Sequence, residues 1–262
     1  MKIDEYYRNV ARISLNGSIA ALIPAIAIIG GNFAFFQTKQ IMLLVIPFLL
    51  YSIINFQLYL RGVKQALIIR KKLIDSKHVT HSIFASEHLL LLFYNTLSPS
   101  LMIFTPDGYL VGAIKKYREN GRGLGISSTV FALYDVDQEL VCSYVVHGKS
   151  KLKIEVYDKD KEYIGCFENT RLAHIKKSKK ELLNSEGRFI AAVEGASFYM
   201  DEQVVDSNNR QVARLRRGWM PIEWSSYFPE PNTPVLSLAA SLSDKDRLLQ
   251  MSFLINEFFI ER

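Results

Sequence analysis

Ser243-Asp-Lys-Asp-Arg-Leu-Leu-Gln-Met-Ser-Phe-Leu-Ile-Asn-Glu-Phe-Phe-Ile-Glu-Arg262 is the stretch on which the fold turns. Ser243 sits where an N-cap belongs, and Asp244 and Asp246 follow in the first turn, where the helix dipole favours negative charge. Further along, Leu248, Leu249, Met251, Phe253, Leu254, Ile255, Phe258, Phe259 and Ile260 point in nearly every direction around a helical period. A helix that is apolar all round has to be enclosed. The 13 residues between Arg247 and Glu261 reach only ~20 Å at ~1.5 Å per residue, short of a ~30 Å hydrocarbon core, so protein and not lipid must enclose them.

The enclosing material lies upstream, where from about Ile83 the chain breaks into short strand-like pieces separated by turn residues. Leu101-Met-Ile-Phe-Thr-Pro-Asp-Gly-Tyr-Leu-Val-Gly-Ala-Ile114 is a strand, a turn and a strand, and the segments Phe131 to Cys142 and Ile154 to Gly165 repeat the form. Phe198 to Leu215, centred on Asp206-Ser-Asn-Asn, is a looser copy. Successive β-hairpins are expected, with a last strand at Pro234 to Leu242. Asp135 with Asp137 and Asp158 with Asp160 could be offered as calcium ligands, since hard cations take clustered oxygens. Neither loop goes on to the Gly and distant Glu of an EF-hand, and Asp is what a turn prefers for local backbone bonding, so the turn is the stronger reading and no metal is expected.

A run of hairpins of the form hydrophobic-Tyr-Asp-x-Asp, closed by a hydrophobic C-terminal helix, resembles the tubby C-terminal-like superfamily, which takes in tubby-like, phospholipid-scramblase and LURP-one-related proteins. The resemblance covers residues 83–262 and implies an antiparallel barrel of about twelve strands around a central helix at 244–261. It also implies lipid binding, although no phosphoinositide-binding pair, acidic calcium segment or cysteine-rich lipidated stretch can be aligned. The N-terminal anchor described next, together with a Lys- and Ile-rich composition, suggests a bacterial, membrane-anchored member.

From Ile13 to Thr38 there is no charged residue, and after Lys39 none again until Arg61. Each stretch exceeds the ~20 residues that a spanning helix needs. Pro24 and Pro47 are tolerated in lipid when neighbouring groups satisfy the freed carbonyls. A cleaved signal peptide is the competing reading of the first stretch, but its apolar run is long for one and a second span follows at once. The expectation is a transmembrane hairpin at 13–61, with spans at 13–36 and 41–60. The short loop around Gln37 to Gln40 holds one Lys, whereas Lys2, Arg8 and Arg12 precede the hairpin and Arg61, Lys64, Arg70, Lys71 and Lys72 follow it. The positive-inside rule then puts residues 1–12, the basic juxtamembrane connector 62–82 and the β domain in the cytoplasm, at the cell membrane. That connector either continues the second helix with its cations near lipid headgroups or is an ordinary linker.

No residue set specifies a reaction, so no enzyme and no cofactor is expected. Cys142 and His147 come nearest to a dyad, but a separation of five puts them on opposite faces of a strand. His78, His81, His88 and His174 are scattered, and Gly121-Arg-Gly-Leu-Gly125 lacks the strand and helix that a phosphate loop requires. The two cysteines, Cys142 and Cys166, make no disulfide framework or zinc spacing. The net charge of +6 suits an anionic partner. On the β domain it gathers at Arg171, Lys176, Lys177, Lys179 and Lys180 and at Arg210, Arg214, Arg216 and Arg217; these are the lipid-binding candidates, against a solvated loop for the first set and paired strand charges for the second. Nucleic acid is not expected, because no recognition motif accompanies the charge. The function these readings favour is a membrane-anchored, non-enzymatic module that binds anionic phospholipid or an acyl chain at the cytoplasmic face. The alternatives are a protein-interaction or regulatory subunit of a membrane complex, in envelope stress or toxin immunity, and phospholipid scrambling.

Overall fold

The computed structural model describes residues 1–74, 82–96, 98–117, 129–148, 151–171, 178–196, 201–218 and 220–261. His78, His81, His174, Lys176, Lys177 and the Gly121 to Gly125 run lie outside the described residues. The chain divides into two compact units, Met1–His78 and Val79–Arg262.

In the first unit, helix α1 (Ile3–Gly31) runs into a π-helical turn (Asn32–Phe36) and ends at Gln37, which takes the left-handed conformation at φ 50°. A short α2 (Lys39–Met42) and a long α3 (Val45–Ile74) follow. Both long helices outrun the charge-free stretches. Asp4 and Glu5 favour an early start to α1, and Lys71 and Lys72 suit the negative end of α3, so much of the expected connector is helix. The two helices pack antiparallel on small residues. Ala11, Ser18 and Ala25 recur every seventh position and are buried, and the Ser18 and Ser52 hydroxyls lie 3.0 Å apart. A Cβ placed on Gly62 would come within 2.9 Å of the Ala11 Cβ, so this crossing needs glycine. Both helices are long and apolar enough to cross a membrane, and only 17% and 11% of their most apolar windows are buried.

The second unit is a closed antiparallel barrel in which every strand pairs with its chain neighbour and the last returns to the first. The twelve strands are β1 (His88–Tyr94), β2 (Ser100–Phe104), β3 (Leu110–Lys116), β4 (Thr129–Tyr134), β5 (Leu140–His147), β6 (Lys151–Asp158), β7 (Tyr163–Arg171), β8 (Ser178–Asn184), β9 (Phe189–Ala196), β10 (Asp201–Asp206), β11 (Gln211–Arg216) and β12 (Val235–Leu238). Closure comes from β1 against β12, with Leu89 opposite Leu236, and leaves no free sheet edge.

Five of the hairpins share one turn. Thr105–Tyr109, Asp135–Glu139, Asp158–Glu162, Asn184–Arg188 and Asp206–Arg210 are each closed by a backbone bond between their end residues, and each sits beside a register shift in its strand pair. Their fourth positions, Gly108, Gln138, Lys161, Gly187 and Asn209, all have positive φ. This is a type I turn with a left-handed residue and a bulge, which matches the twist of antiparallel strands. In the Asp-x-Asp loops, Asp135 Oδ1 accepts from the backbone N–H of Asp137 and Glu139, both at 2.9 Å, and Asp158 Oδ1 does the same for Asp160 at 3.0 Å and Glu162 at 2.8 Å. The paired aspartates are therefore turn residues.

Inside the barrel lies the C-terminal helix, α4 (Asp244–Met251) and α5 (Phe253–Ile255), ending in a π-helical turn (Asn256–Ile260). Ser243 caps it, accepting from the Asp246 backbone N–H at 3.2 Å. Leu248, Leu249, Met251, Phe253, Leu254, Ile255 and Phe258 share one core with the inward residues of the strands, among them Leu91, Ile103, Leu133, Tyr144, Ile154, Phe167, Leu182, Val204 and Leu236. A barrel of this girth leaves an interior to fill, and the all-round apolar helix fills it. Two hydrogen bonds tie it to the surrounding chain: Tyr144 of the wall donates its hydroxyl to the Leu248 carbonyl at 3.3 Å, and Arg247 Nη1 donates to the Ser86 carbonyl at 2.9 Å.

Candidate functional site

Strand alternation sorts the expected basic residues before any contact is considered. On β8, Leu182 is buried in the core, so Lys180 shares its inward face while Lys179 and Glu181 face out. On β11, Ala213 and Leu215 are inward, so the alternation leaves Arg214 and Arg216 outward and carries the following Arg217 inward. On β10 it is Val204, and with it Glu202, that turn to the interior. The sequence grouped these cations by proximity along the chain, and the sheet divides them by parity.

The inward charges meet the last turn of the C-terminal helix. Lys180 Nζ lies 2.8 Å from Glu202 Oε1, 2.7 Å from Glu257 Oε1 and 3.4 Å from Glu261 Oε2. Its side chain is 12% exposed and that of Glu202 is 14% exposed. Asn256, fully buried, donates through Nδ2 to Glu257 Oε1 at 2.8 Å and Glu261 Oε2 at 2.9 Å, and Asn169 Nδ2 donates to Glu261 Oε1 at 3.2 Å. Arg217 stacks on the Phe258 ring at 4.8 Å and donates to the Glu257 carbonyl at 3.4 Å. The π turn makes this geometry possible, since its extra residue brings Asn256, Glu257 and Glu261 round to the same strands.

Burial opposes the charge on Lys180, but the carboxylates of Glu202 and Glu257 outweigh it and raise its proton affinity above the ordinary lysine value. Glu202 is also raised, by burial first and then by the charge of Glu257, which together exceed the attraction of Lys180. The arrangement is an ion cage that fastens the end of the helix to β7, β8 and β10. Its ammonium is occupied from within. Nothing in the sequence order could pair Lys180 with Glu257; inward parity at Lys180 and Glu202, two residues before Leu182 and Val204, is the only early sign.

Of the outward candidates, Lys179 pairs with Glu181 at 2.8 Å, and Arg214 grips Asp201 through Nε at 2.8 Å and Nη2 at 2.5 Å. Those bonds hold the Asp201 carboxyl below its ordinary range. Arg210 is exposed at the foot of the Asp206 turn, and Arg216 is half-buried at the end of β11. On the first unit, Arg61, Lys64, Arg70, Lys71 and Lys72 are all exposed along α3. Cys142 and His147 do lie on opposite faces of β5: the Cys142 thiol is buried and pushed up to about 12 by that burial, while the His147 ring faces out and pairs with Glu155 at 3.2 Å. A thiol held protonated in this way is a poor nucleophile.

No protein-family model and no characterised protein matches this chain in sequence. Among solved structures, an X-ray structure of a protein from Arabidopsis thaliana is similar to it, at 14% identity and a TM-score of 0.41, over 67% of this chain and 92% of that one.

Proposed function

We propose that the chain is a membrane-anchored, non-enzymatic module with both termini and the barrel on the cytoplasmic side, where it engages anionic phospholipid. The observation that carries this reading is the outward apolar surface of α1 and α3. Ile19, Ile23 and Ile26 on α1 and Leu50, Ile53 and Ile54 on α3 are all more than half exposed, which the core helices of a water-soluble protein would not be. A signal peptide has no need of a packed partner helix, whereas α1 has one in α3. The antiparallel packing brings Arg8 and Arg12 to the same end as Arg61 and Lys64, with the single Lys39 at the other, and that asymmetry supports cytoplasmic termini.

On the barrel, Lys179, Arg210, Arg214 and Arg216 are the outward cations that would meet an anionic surface, together with Lys176 and Lys177 of the sequence. Each such residue not already paired with a carboxylate, as Lys179 and Arg214 are, adds about 1 kcal/mol of attraction near the inner leaflet. The test is co-sedimentation of residues 79–262 with phosphatidylglycerol and phosphatidylcholine liposomes. Binding confined to phosphatidylglycerol, weakened by salt and reduced by replacing Lys176, Lys177 and Lys179 with Gln, is the expected result. Equal binding to both lipids, or none to either, would remove the barrel from the lipid-binding role and leave only the anchor.

A further inference from the structure

Several of the barrel's cations are compensated by carboxylates, among them Lys179, Lys180, Arg214 and Arg217, but three arginines on the helical unit are not. Arg8 and Arg12 stand one turn apart on α1, and Arg70 stands on α3; all three are exposed and line one groove of about 250 Å³. Among the described residues none of the three is in an ion pair, whereas Lys179, Lys180, Arg214 and Arg217 on the barrel all are. Like charges one helical turn apart repel, so their convergence on a groove asks for an anion.

Position identifies the anion. Arg12 immediately precedes the charge-free stretch of α1, and the Ala11 to Gly62 crossing puts it level with Arg61, where charge resumes on α3. Arg8 lies about 6 Å further out at ~1.5 Å per residue, the depth of the headgroup layer outside a ~30 Å hydrocarbon core. On the membrane side of Arg12 the groove is lined by Leu15 and the ring of Tyr59, the largely apolar surface that a neighbouring acyl chain would require. Asp4 lines the groove as well, so three Arg and one Asp give the lining a net charge of +2 (three minus one). That charge suits one phosphodiester and not a polyphosphorylated headgroup. The volume falls below the ~300–1,000 Å³ of sites that enclose a whole small ligand, and so fits a headgroup with its tails left in the bilayer.

We propose that the groove between α1 and α3 binds the headgroup of one anionic glycerophospholipid, its phosphate held by Arg8, Arg12 and Arg70. This deepens the function proposed above and rests on its membrane anchor, but not on any lipid contact by the barrel. The test is native mass spectrometry of the full chain released from phosphatidylcholine nanodiscs that carry a minor fraction of phosphatidylglycerol. The wild-type chain is expected to retain a single phosphatidylglycerol, the triple variant Arg8→Gln, Arg12→Gln, Arg70→Gln to lose it, and the equally charged control Lys64→Gln, Lys71→Gln, Lys72→Gln to keep it. Every substituted side chain is exposed, and unchanged helical circular dichroism establishes that the hairpin is intact. Equal loss in both triple variants, or retention in both, would overturn the site, and so would displacement of the lipid by inorganic phosphate, which would mark a site for a free anion. A chain that never enters nanodiscs would instead overturn the membrane anchor itself.

Discussion

Lys180 shows how far one side chain's meaning depends on closure of the sheet. As part of a basic run it looks like a surface cation, yet it is the centre of a cage whose carboxylates come from β10 and from the C-terminal helix. Removing the lysine leaves Glu202 and Glu257 facing each other with most of their water excluded, a loss of about 3 kcal/mol by the usual cost of breaking a buried pair. Lys180→Met should therefore lower the thermal midpoint of the detergent-solubilised chain, followed by tryptophan fluorescence, and Lys180→Met with Glu202→Gln should recover part of the loss. The sign with pH is fixed by Glu202. Its folded-state proton affinity lies above the ordinary carboxylate value, so the proton it binds stabilises the fold below that value and is lost as pH rises. The cost of Lys180→Met should accordingly shrink on acidification toward the ordinary carboxylate range. A cost that grows on acidification would contradict the cage.

Among the elements, the hairpins carried their own signal and the site did not. Asp135, Asp158 and Asp206 announce turns because a short carboxylate can accept two backbone N–H groups at once, and all three do so. The enclosed helix was equally legible, since a fully apolar surface too short for a bilayer admits one solution. β8 was hidden by its Lys and Glu residues, which alternate between the ion cage and solvent instead of between core and solvent. The shared turn also fixes a prediction. Lys161 holds φ at 64° where a non-glycine residue costs ~1–2 kcal/mol, and glycine in its place costs ~0.5–1 kcal/mol in chain entropy. Lys161→Gly should stabilise the fold by about 0.5 kcal/mol. Gly187→Ala should destabilise it by about 0.5 kcal/mol, the same backbone strain less the entropy gain, because no atom lies within 4 Å of the added Cβ. Chemical denaturation of the two variants checks both signs.

At the scale of the whole molecule, two units with opposite surface chemistry share one chain: a hairpin that turns its apolar side chains outward and a barrel that encloses them. In the proposed topology the hairpin spans a membrane and leaves the barrel on the cytoplasmic side. Cysteine labelling tests it without background, since Cys142 and Cys166 are both buried. Thr38→Cys marks the short loop between spans, and Ser207→Cys marks an exposed barrel turn. With a membrane-impermeant maleimide on intact cells, Thr38→Cys is expected to label at once and Ser207→Cys only after the membrane is permeabilised. Labelling of Ser207→Cys in intact cells would place the barrel outside and contradict the account.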